Sequence, residues 1–209
     1  MAHLRVDRSD YPQCLTNNVH SEMNNNDSKE KISRCCSECS CSLMEAELTE
    51  YAKKVQRRID ENDSDEFPNH SELHAAIILR KFIESARKSI YIFCGRLNRN
   101  VYGDLLPCFK AADDRGVKVR VVTAYRDVCA EDVAAGLKEM KAYNVLSEPD
   151  DETPHFALID ECRYRIETSE EEKSAIVCAY AETREQALRV CSLKLLFDLL
   201  LDNCTAESV

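Results

Sequence analysis

Short apolar stretches alternate with helix-like segments from about residue 70 to the end of the chain, and this alternation most restricts the fold. The segments between the apolar stretches carry their own apolar residues three and four positions apart, which is the spacing of an amphipathic helix. A sheet whose strands are joined by helices is parallel or mixed and is covered by helices on both faces. The sequence therefore predicts an α/β domain with a mixed, mainly parallel sheet. The predicted strands lie at 90–94, 117–122, 145–146, 155–166 and 175–180, and the predicted helices lie at about 71–87, 100–114, 130–140 and from 183 onward.

Two segments of different composition precede this domain. Residues 1–41 are rich in Asn, Ser, Lys and Glu and hold few branched apolar residues, so they cannot bury enough surface to offset chain entropy. A capping box at Ser42 and Glu45 predicts the start of an amphipathic helix, and the acidic run at 60–66 followed by Pro68 is typical of a linker. The predicted organisation is a disordered, cysteine-containing segment at 1–41, a helix and acidic linker at 42–69, and the α/β domain at 70–209.

Charge and hydropathy restrict the classes of partner. Acidic residues outnumber basic ones by 38 to 28, giving a formal net charge of −10, and such a surface repels the phosphate backbone wherever no local basic patch overrides it. The composition therefore disfavours nucleic acid as a general partner. No run approaches the roughly 18 apolar residues of a membrane span. The charged N-terminus from Met1 to Asp10 has no apolar stretch behind it, so a soluble cytoplasmic protein without a membrane span is expected.

The 12 cysteines divide unevenly along the chain. Seven sit among apolar neighbours of the α/β domain, which is typical of reduced core residues. Four of the other five crowd between Cys35 and Cys41. Three interpretations of that cluster stay open: metal binding with His20 as a further ligand, reversible oxidation or lipid attachment, and no specific role. A structural zinc site uses two separated pairs of ligands, so we expect no metal centre and no cofactor.

One segment between Thr153 and Asp160 reads Thr-Pro-His-Phe-Ala-Leu-Ile-Asp. It resembles the catalytic strand of the phospholipase D superfamily, in which His-x-Lys runs through four apolar residues into Asp. On that pattern His155 stands at the lysine, Asp160 at the aspartate and Thr153 at the nucleophilic histidine. The Arg-Gly-Val turn at residues 115–117 is similar to the family's helix-to-strand turn. The resemblance covers about residues 72–203 and implies one half of the phospholipase D fold.

The resemblance implies a phosphate site with weakened chemistry. A threonine hydroxyl has no nucleophilic strength near pH 7 without a base. The only candidate base in view is His155, which would share a strand face with Thr153 because side chains two apart point the same way. The Gly-Ser and Asn with which the family binds phosphate are replaced by Glu167-Thr168-Ser169-Glu170, whose carboxylates would repel a phosphodiester. We therefore predict a catalytically degenerate domain that acts as a binding or regulatory module.

The candidate site combines this motif with one basic pair. Two arginines lie in the loop directly after the predicted strand 90–94, in the region where open α/β sheets bind ligands, and they are candidates for binding an anion. A phosphate-containing ligand is therefore the predicted small-molecule partner. The candidate residues are His155 and Asp160 for catalysis, and Thr153, Thr168, Arg96 and Arg99 for substrate binding.

An active enzyme is the alternative. In a second register His155 is itself the nucleophile and Ala157 stands where the lysine belongs, although this breaks the spacing to Asp160 by two residues. That interpretation predicts a single-motif phosphodiesterase or nuclease. The family builds its site from two such strands and this chain has one, so the resemblance implies a symmetric homodimer or a protein partner.

Overall fold

The structure is a computed structural model that describes residues 44–126, 130–148, 151–169 and 174–204. The predicted disordered segment, its cysteine cluster and the predicted helix start at Ser42 lie outside the described residues. Within the described ranges, no helix is long and apolar enough to cross a membrane.

Seven strands form one mixed sheet. Numbered in chain order, they are β1 Phe67–Asn69, β2 Ser89–Cys94, β3 Lys118–Thr123, β4 Tyr143–Val145, β5 Phe156–Ile159, β6 Arg163–Ser169 and β7 Ser174–Cys178. Their spatial order is β1-β7-β6-β5-β2-β3-β4. β3 is parallel to both its neighbours, β2 and β4, and the other four neighbouring pairs are antiparallel. The predicted α/β fold with a mixed sheet is confirmed, but antiparallel pairs outnumber parallel ones because β5, β6 and β7 follow one another through short connections.

Helices cover both faces of this sheet. They are α1 at 44–60, α2 Glu72–Ser85, α3 Arg99–Tyr102, α4 Leu106–Asp114, α5 Glu131–Glu139 and α6 Arg184–Asp202. Alternate residues of a strand point to opposite faces. Ile90 and Ile92 of β2 accordingly pack in the core that contains residues of α1, α2, α4 and α5. Tyr91 and Phe93 pack on the other side, in the core that contains Phe197 of α6.

The stretch predicted as a linker contains an edge strand. β1 pairs antiparallel with β7, and Pro68 is tolerated there because an edge strand can leave one side without hydrogen bonds. Upstream of it, Val55 and Ile59 of α1 are buried in the same core as α2. The sequence analysis missed this strand because three residues are too few to show an alternating pattern.

Two further boundaries show what local sequence does and does not reveal. The helix predicted from 183 onward begins with a capping box, in which Gln186 N–H donates to the Thr183 hydroxyl (3.2 Å) and the Gln186 side chain accepts from Thr183 N–H (3.0 Å). The predicted helix over 100–114 is divided into α3, a 3-10 turn at Gly103–Leu105 and α4. Pro107 lies in the first turn of α4, where its missing N–H has no helical partner to lose.

The single strand predicted over 155–166 is a hairpin of β5 and β6. Cys162 N–H donates to the Ile159 carbonyl (3.1 Å), and both residues between them, Asp160 and Glu161, have positive φ angles of 55° and 54°. Two positive φ angles at the centre of such a turn define type I′. Aspartate is common at the first central position of such a turn, but the second prefers glycine, and Glu161 stands there, so the sequence pattern did not reveal the turn.

The carboxylate of Asp160 holds the connection between α2 and β2. It accepts the backbone N–H groups of Arg87 (3.0 Å), Lys88 (2.7 Å) and Ser89 (3.0 Å), and it is paired with the Arg163 guanidinium at 3.2 Å. The Asp160 N–H in turn donates to the Ser89 carbonyl (2.8 Å). This one residue therefore ties the β5–β6 turn to the start of β2.

We predict that replacing Asp160 destabilises the domain through these hydrogen bonds. Asp160→Gly removes the acceptor but suits the positive φ, and it should cost about 3 kcal/mol in the free energy of unfolding, because three backbone donors lose their acceptor. Asp160→Asn keeps one acceptor and tolerates positive φ, so it should cost less. Urea unfolding measures both values. Glu161→Gly, at the neighbouring position with the same φ, is the matched control and should not destabilise; equal losses at the two positions would contradict the assignment.

Candidate functional site

A cleft of about 500 Å³ lies beside His155. Its walls come from the loop that follows β2, α3, the beginning of α2, Tyr125, residues before β5 and two side chains of β6. The cleft thus lies where β2 ends and β5 begins, which are adjacent because the two strands are antiparallel neighbours. Its size is within the range of small-molecule sites.

Both ring nitrogens of His155 are hydrogen-bonded within the protein. Gly95 N–H donates to Nε2 (2.8 Å), so Nε2 is the unprotonated nitrogen. Nδ1 lies 2.7 Å from Oε2 of Glu167, and the remaining ring proton is therefore on Nδ1, from which it is donated to the carboxylate. The imidazole is a neutral bridge between the end of β2 and β6.

Strand pairing brings His155 and Glu167 together. Glu167 N–H donates to the His155 carbonyl (2.8 Å), which continues the β5–β6 ladder by one residue. Residues directly opposite each other in an antiparallel pair have side chains on the same face. The hydrogen bond between the two side chains therefore follows from the register of the hairpin.

A chain of polar contacts leads from Glu167 into the core. Arg165 donates to Oε1 of Glu167 (3.4 Å) and, through Nε, to the side-chain oxygen of Asn69 (2.9 Å). Arg165 is only 8% exposed and Asn69 is fully buried. Burial by itself raises the pKa of Glu167, but the hydrogen bond from His155 and the Arg165 charge outweigh it and hold that pKa below its ordinary value. Glu167 is therefore a carboxylate whose charge is compensated inside the protein.

Gly95 leaves room for this imidazole. A Cβ atom at Gly95 would lie 3.0 Å from Nε2 and 3.4 Å from Cε1 of His155. The φ of Gly95 is not in the left-handed region, so what requires glycine here is the close approach of the ring.

The two candidate arginines line the cleft, as does His155. The guanidinium of Arg96 lies over the Tyr125 ring, 4.8 Å from its centroid, and the Tyr125 hydroxyl donates to Asp151 (2.6 Å). Arg99 is paired with Asp132 at 3.3 Å in an exposed ion pair. In the part of the chain that the structure describes, no carboxylate lies within 4 Å of Arg96.

The two candidate threonines lie at a smaller cleft. It measures about 160 Å³ and is lined by Thr153 and Thr168 together with His155 and Glu167. The hydroxyl of Thr168 lies 3.0 Å from the hydroxyl of Ser174. β5 begins only at Phe156, so Thr153 precedes the strand, and the premise that it shares a strand face with His155 is not met.

Asp160 is remote from both clefts. It follows β5, whereas His155 precedes that strand, and neither cleft lining includes it. Its contacts are the backbone N–H groups and the arginine described above. The two motif residues, His155 and Asp160, thus lie at opposite ends of β5. The contacts of Asp160 stabilise the fold and do not contribute to either cleft.

Three residues that hold the imidazole and its network were missed by the sequence analysis. Gly95 is 60 positions away from His155 and gives no local signal. Arg165 and Glu167 did carry one, because opposite charges two residues apart on a strand lie on the same face. Glu167 was instead interpreted as a carboxylate that would repel a phosphodiester, and its compensation by Arg165 and His155 corrects that interpretation. Over the described ranges, no three His, Cys, Asp or Glu side chains are placed to hold a metal ion.

Comparison with known proteins supports the fold and goes no further. No family model matches the chain, and no curated protein matches it. NucT from Helicobacter pylori is a solved structure that superposes with a TM-score of 0.52 at 14% identity, over 68% of this chain and 98% of NucT. Nuc from Salmonella typhimurium, a phospholipase D family member, gives 0.47 at 14% identity, over 67% and 97%. The described domain shares the α/β fold of NucT.

One prediction about partners is wrong. The net charge led us to disfavour nucleic acid, yet the structural neighbours include TrmBL2, an archaeal chromatin protein described as showing a novel mode of DNA binding. It superposes with a TM-score of 0.49 at 12% identity, over 84% of this chain and 68% of TrmBL2. Net charge is a sum over the whole chain, whereas binding depends on how charge is distributed locally. The acidic composition therefore does not exclude nucleic acid.

We predict that Glu167→Gln destabilises the domain in a pH-dependent way. The folded-state pKa of Glu167 is lowered, so its stabilising contribution is complete above the unfolded pKa of about 4.3 and is lost as the pH falls through the folded value. Urea unfolding should give a difference of about 1–3 kcal/mol between wild type and variant at pH 7, and a smaller difference at pH 3.5. Glu47→Gln, an exposed position on α1, is the control. A difference that stays constant with pH would exclude a role for the charge.

We also predict an energetic coupling between Gly95 and His155. Gly95→Ala should cost about 1–2 kcal/mol, because the added methyl group pushes against a ring held by Glu167, and it should cost less when His155→Ala has removed the ring. A double-mutant cycle of unfolding free energies gives this coupling. Gly103→Ala is the control, since its Cβ would meet Arg99 Cγ at 3.4 Å, an ordinary contact. Additive effects at Gly95 and His155 would refute the prediction.

Proposed function

We propose that this chain is a phospholipase D-like binding module that takes a phosphate-bearing ligand into the larger cleft and does not hydrolyse it. The observation that carries the proposal is the double hydrogen bonding of His155, from Gly95 N–H at 2.8 Å and to Glu167 at 2.7 Å. A domain that binds without turnover is suited to a regulatory role.

The position of Gly95 argues against nucleophilic attack by His155. An attacking imidazole must direct a free lone pair at phosphorus, and the lone pair of Nε2 points at the Gly95 amide. A hydrogen bond from Nδ1 to a carboxylate also orients the histidine of catalytic triads, so the bond to Glu167 is compatible with catalysis. The hydrogen bond from Gly95 to Nε2 is the feature that an activated histidine would lack. Thr153 offers no substitute, because it lies before β5 and a hydroxyl there would need a base.

The cleft lining holds three carboxylates as well as three arginines. Glu72 accepts from Asn98 and Asn100, Asp151 from Tyr125, and Glu167 from His155 and Arg165, so an anionic ligand at the rim would depend on Arg96 and Arg99. Arg165 is buried and donates to Glu167 and Asn69, so its role is structural and it does not bind the ligand.

Arg96 is exposed, and its guanidinium stacks on the Tyr125 ring. The ring orients the guanidinium and leaves its N–H groups available to an anion. Arg99 is held by Asp132 in an exposed pair, a type of contact that is weak and readily exchanged for another anion. These two guanidinium groups match the fork geometry of phosphate oxygens.

We further propose that the module works as a symmetric homodimer. The resemblance implies this assembly, because the family builds its site from two such strands and this chain has one.

Catalysis is tested by incubating the purified chain with bis-p-nitrophenyl phosphate, single-stranded DNA and duplex DNA, with and without a chelator. We expect no turnover that depends on His155. Chelator-resistant hydrolysis that disappears in His155→Ala would overturn the proposal in favour of an active phosphodiesterase or nuclease.

Binding is tested in parallel by titrating inorganic phosphate, a mononucleotide and a short single-stranded DNA. At least one of them should bind, and Arg96→Ala should weaken that binding about tenfold or more, because a charge-assisted hydrogen bond is worth roughly 1.5–3 kcal/mol. Arg57→Ala, an exposed arginine on α1 outside the cleft lining, is the matched control. If no probe binds, or if both variants lose affinity equally, the ligand site is not the cleft.

A further inference from the structure

The side of α6 that faces away from the sheet carries leucines in solvent. Leu188, Leu195 and Leu199 are 61%, 66% and 61% exposed. They fall on one line along the helix, which we call the outer face of α6, because its members are three or four residues apart. The outer face consists of Arg184, Leu188, Cys191, Leu195, Leu199 and Asp202, all of them exposed.

The fold of the single chain does not use this face. α6 buries Val190, Leu193, Phe197 and Leu200 against the sheet, and these positions are on the opposite side of the helix. Burying a leucine is favourable because its apolar surface leaves water, so exposing three on one stripe is a cost that a partner surface would remove. A stripe of this kind is typical of a protein interface.

The charged residues at the two ends of the outer face oppose the dipole of their own helix. Arg184 is the first residue of α6 and Asp202 is the last. A helix favours negative charge at its N-terminus and positive charge at its C-terminus, so both residues are in the less favourable place. Neither has an ion-pair partner among the described residues. Such a local mismatch indicates a function for the position.

We propose that the outer face of α6 binds the same face of a second copy of this chain, with the two helices antiparallel. In that arrangement Arg184 of each copy lies at the C-terminal end of the opposite helix, beside Asp202, and each charge meets both an opposite charge and a favourable dipole. Leu188 lies opposite Leu199, and Cys191 opposite Leu195. All three pairings share a midpoint near Leu193, as one twofold axis requires.

The charge pattern of the outer face explains why we propose a second copy of this chain as its partner. An antiparallel pair of identical stripes is self-complementary only if opposite charges stand at equal distances from the centre, and Arg184 and Asp202 do. A different partner protein would have to supply that pattern independently. The inference goes beyond the proposed function by naming a surface through which two copies of this chain would pair, and it is independent of ligand binding in the cleft.

A charge exchange tests the pairing. The full chain, Arg184→Glu, Asp202→Arg, the double variant and Leu195→Lys are compared by sedimentation velocity at several concentrations. The wild type should sediment as a dimer of 23.8 kDa chains. Each single charge variant should weaken dimerisation about tenfold or more, since it turns two attractive contacts into repulsive ones. The double variant, whose exchanged charges attract again, should dimerise more strongly than either single variant. Leu195→Lys should give monomers.

Both charge variants should fold as the wild type does, because each substitution places at the end of α6 a charge that suits the dipole of that helix. A loss of dimer in these variants would therefore report on the interface. Arg57→Glu, on α1, is the control for a change in net charge. A wild type that is monomeric at every concentration overturns the proposal, as does a dimer that Leu195→Lys leaves intact. Arg96→Ala should remain dimeric, so a failure of ligand binding and a failure of this interface give different results.

Discussion

The imidazole of His155 joins three neighbouring strands at the edge of the cleft. It accepts a hydrogen bond from Gly95, the residue directly after β2, and donates one to Glu167 of β6, while its own backbone leads into β5. A neutral imidazole has one donor and one acceptor, so the side chain is saturated by the protein. Arg165 and Asn69 extend the same contacts toward β1. The shape of the cleft wall and the absence of a free ring nitrogen therefore have one origin.

Local sequence predicted the parts of the fold that local physics determines. The turn at Gly116 has a φ of 80°, as expected of a glycine that ends a helix, and Thr183 begins α6 through a capping box. The hairpin at Asp160 and Glu161 was missed because Glu161 occupies the position where such turns prefer glycine. β1 was missed because it is short and its partner, β7, is more than 100 residues later.

The sequence predicted some of the residues that line the candidate site but not the contacts that hold them. His155, Arg96 and Arg99 line one cleft as the resemblance and the loop position suggested. The contacts that decide the state of His155 come from Gly95 and Glu167, and the first of these is made across a sheet between residues far apart in the chain. No periodicity reports such a contact. Asp160 illustrates the converse, because a residue that fits a catalytic motif can be retained for the backbone groups it holds.

Both strands at the margins of the sheet, β1 and β4, are only three residues long, and β1 contains Pro68. An added strand from another molecule would find few unpaired amide and carbonyl groups there. Growth of the sheet by side-by-side pairing, which leads to swapped or fibrous aggregates, is therefore poorly supported at either end. Association through a helical surface would instead depend on side-chain shape and charge, and not on the backbone groups that all strands share.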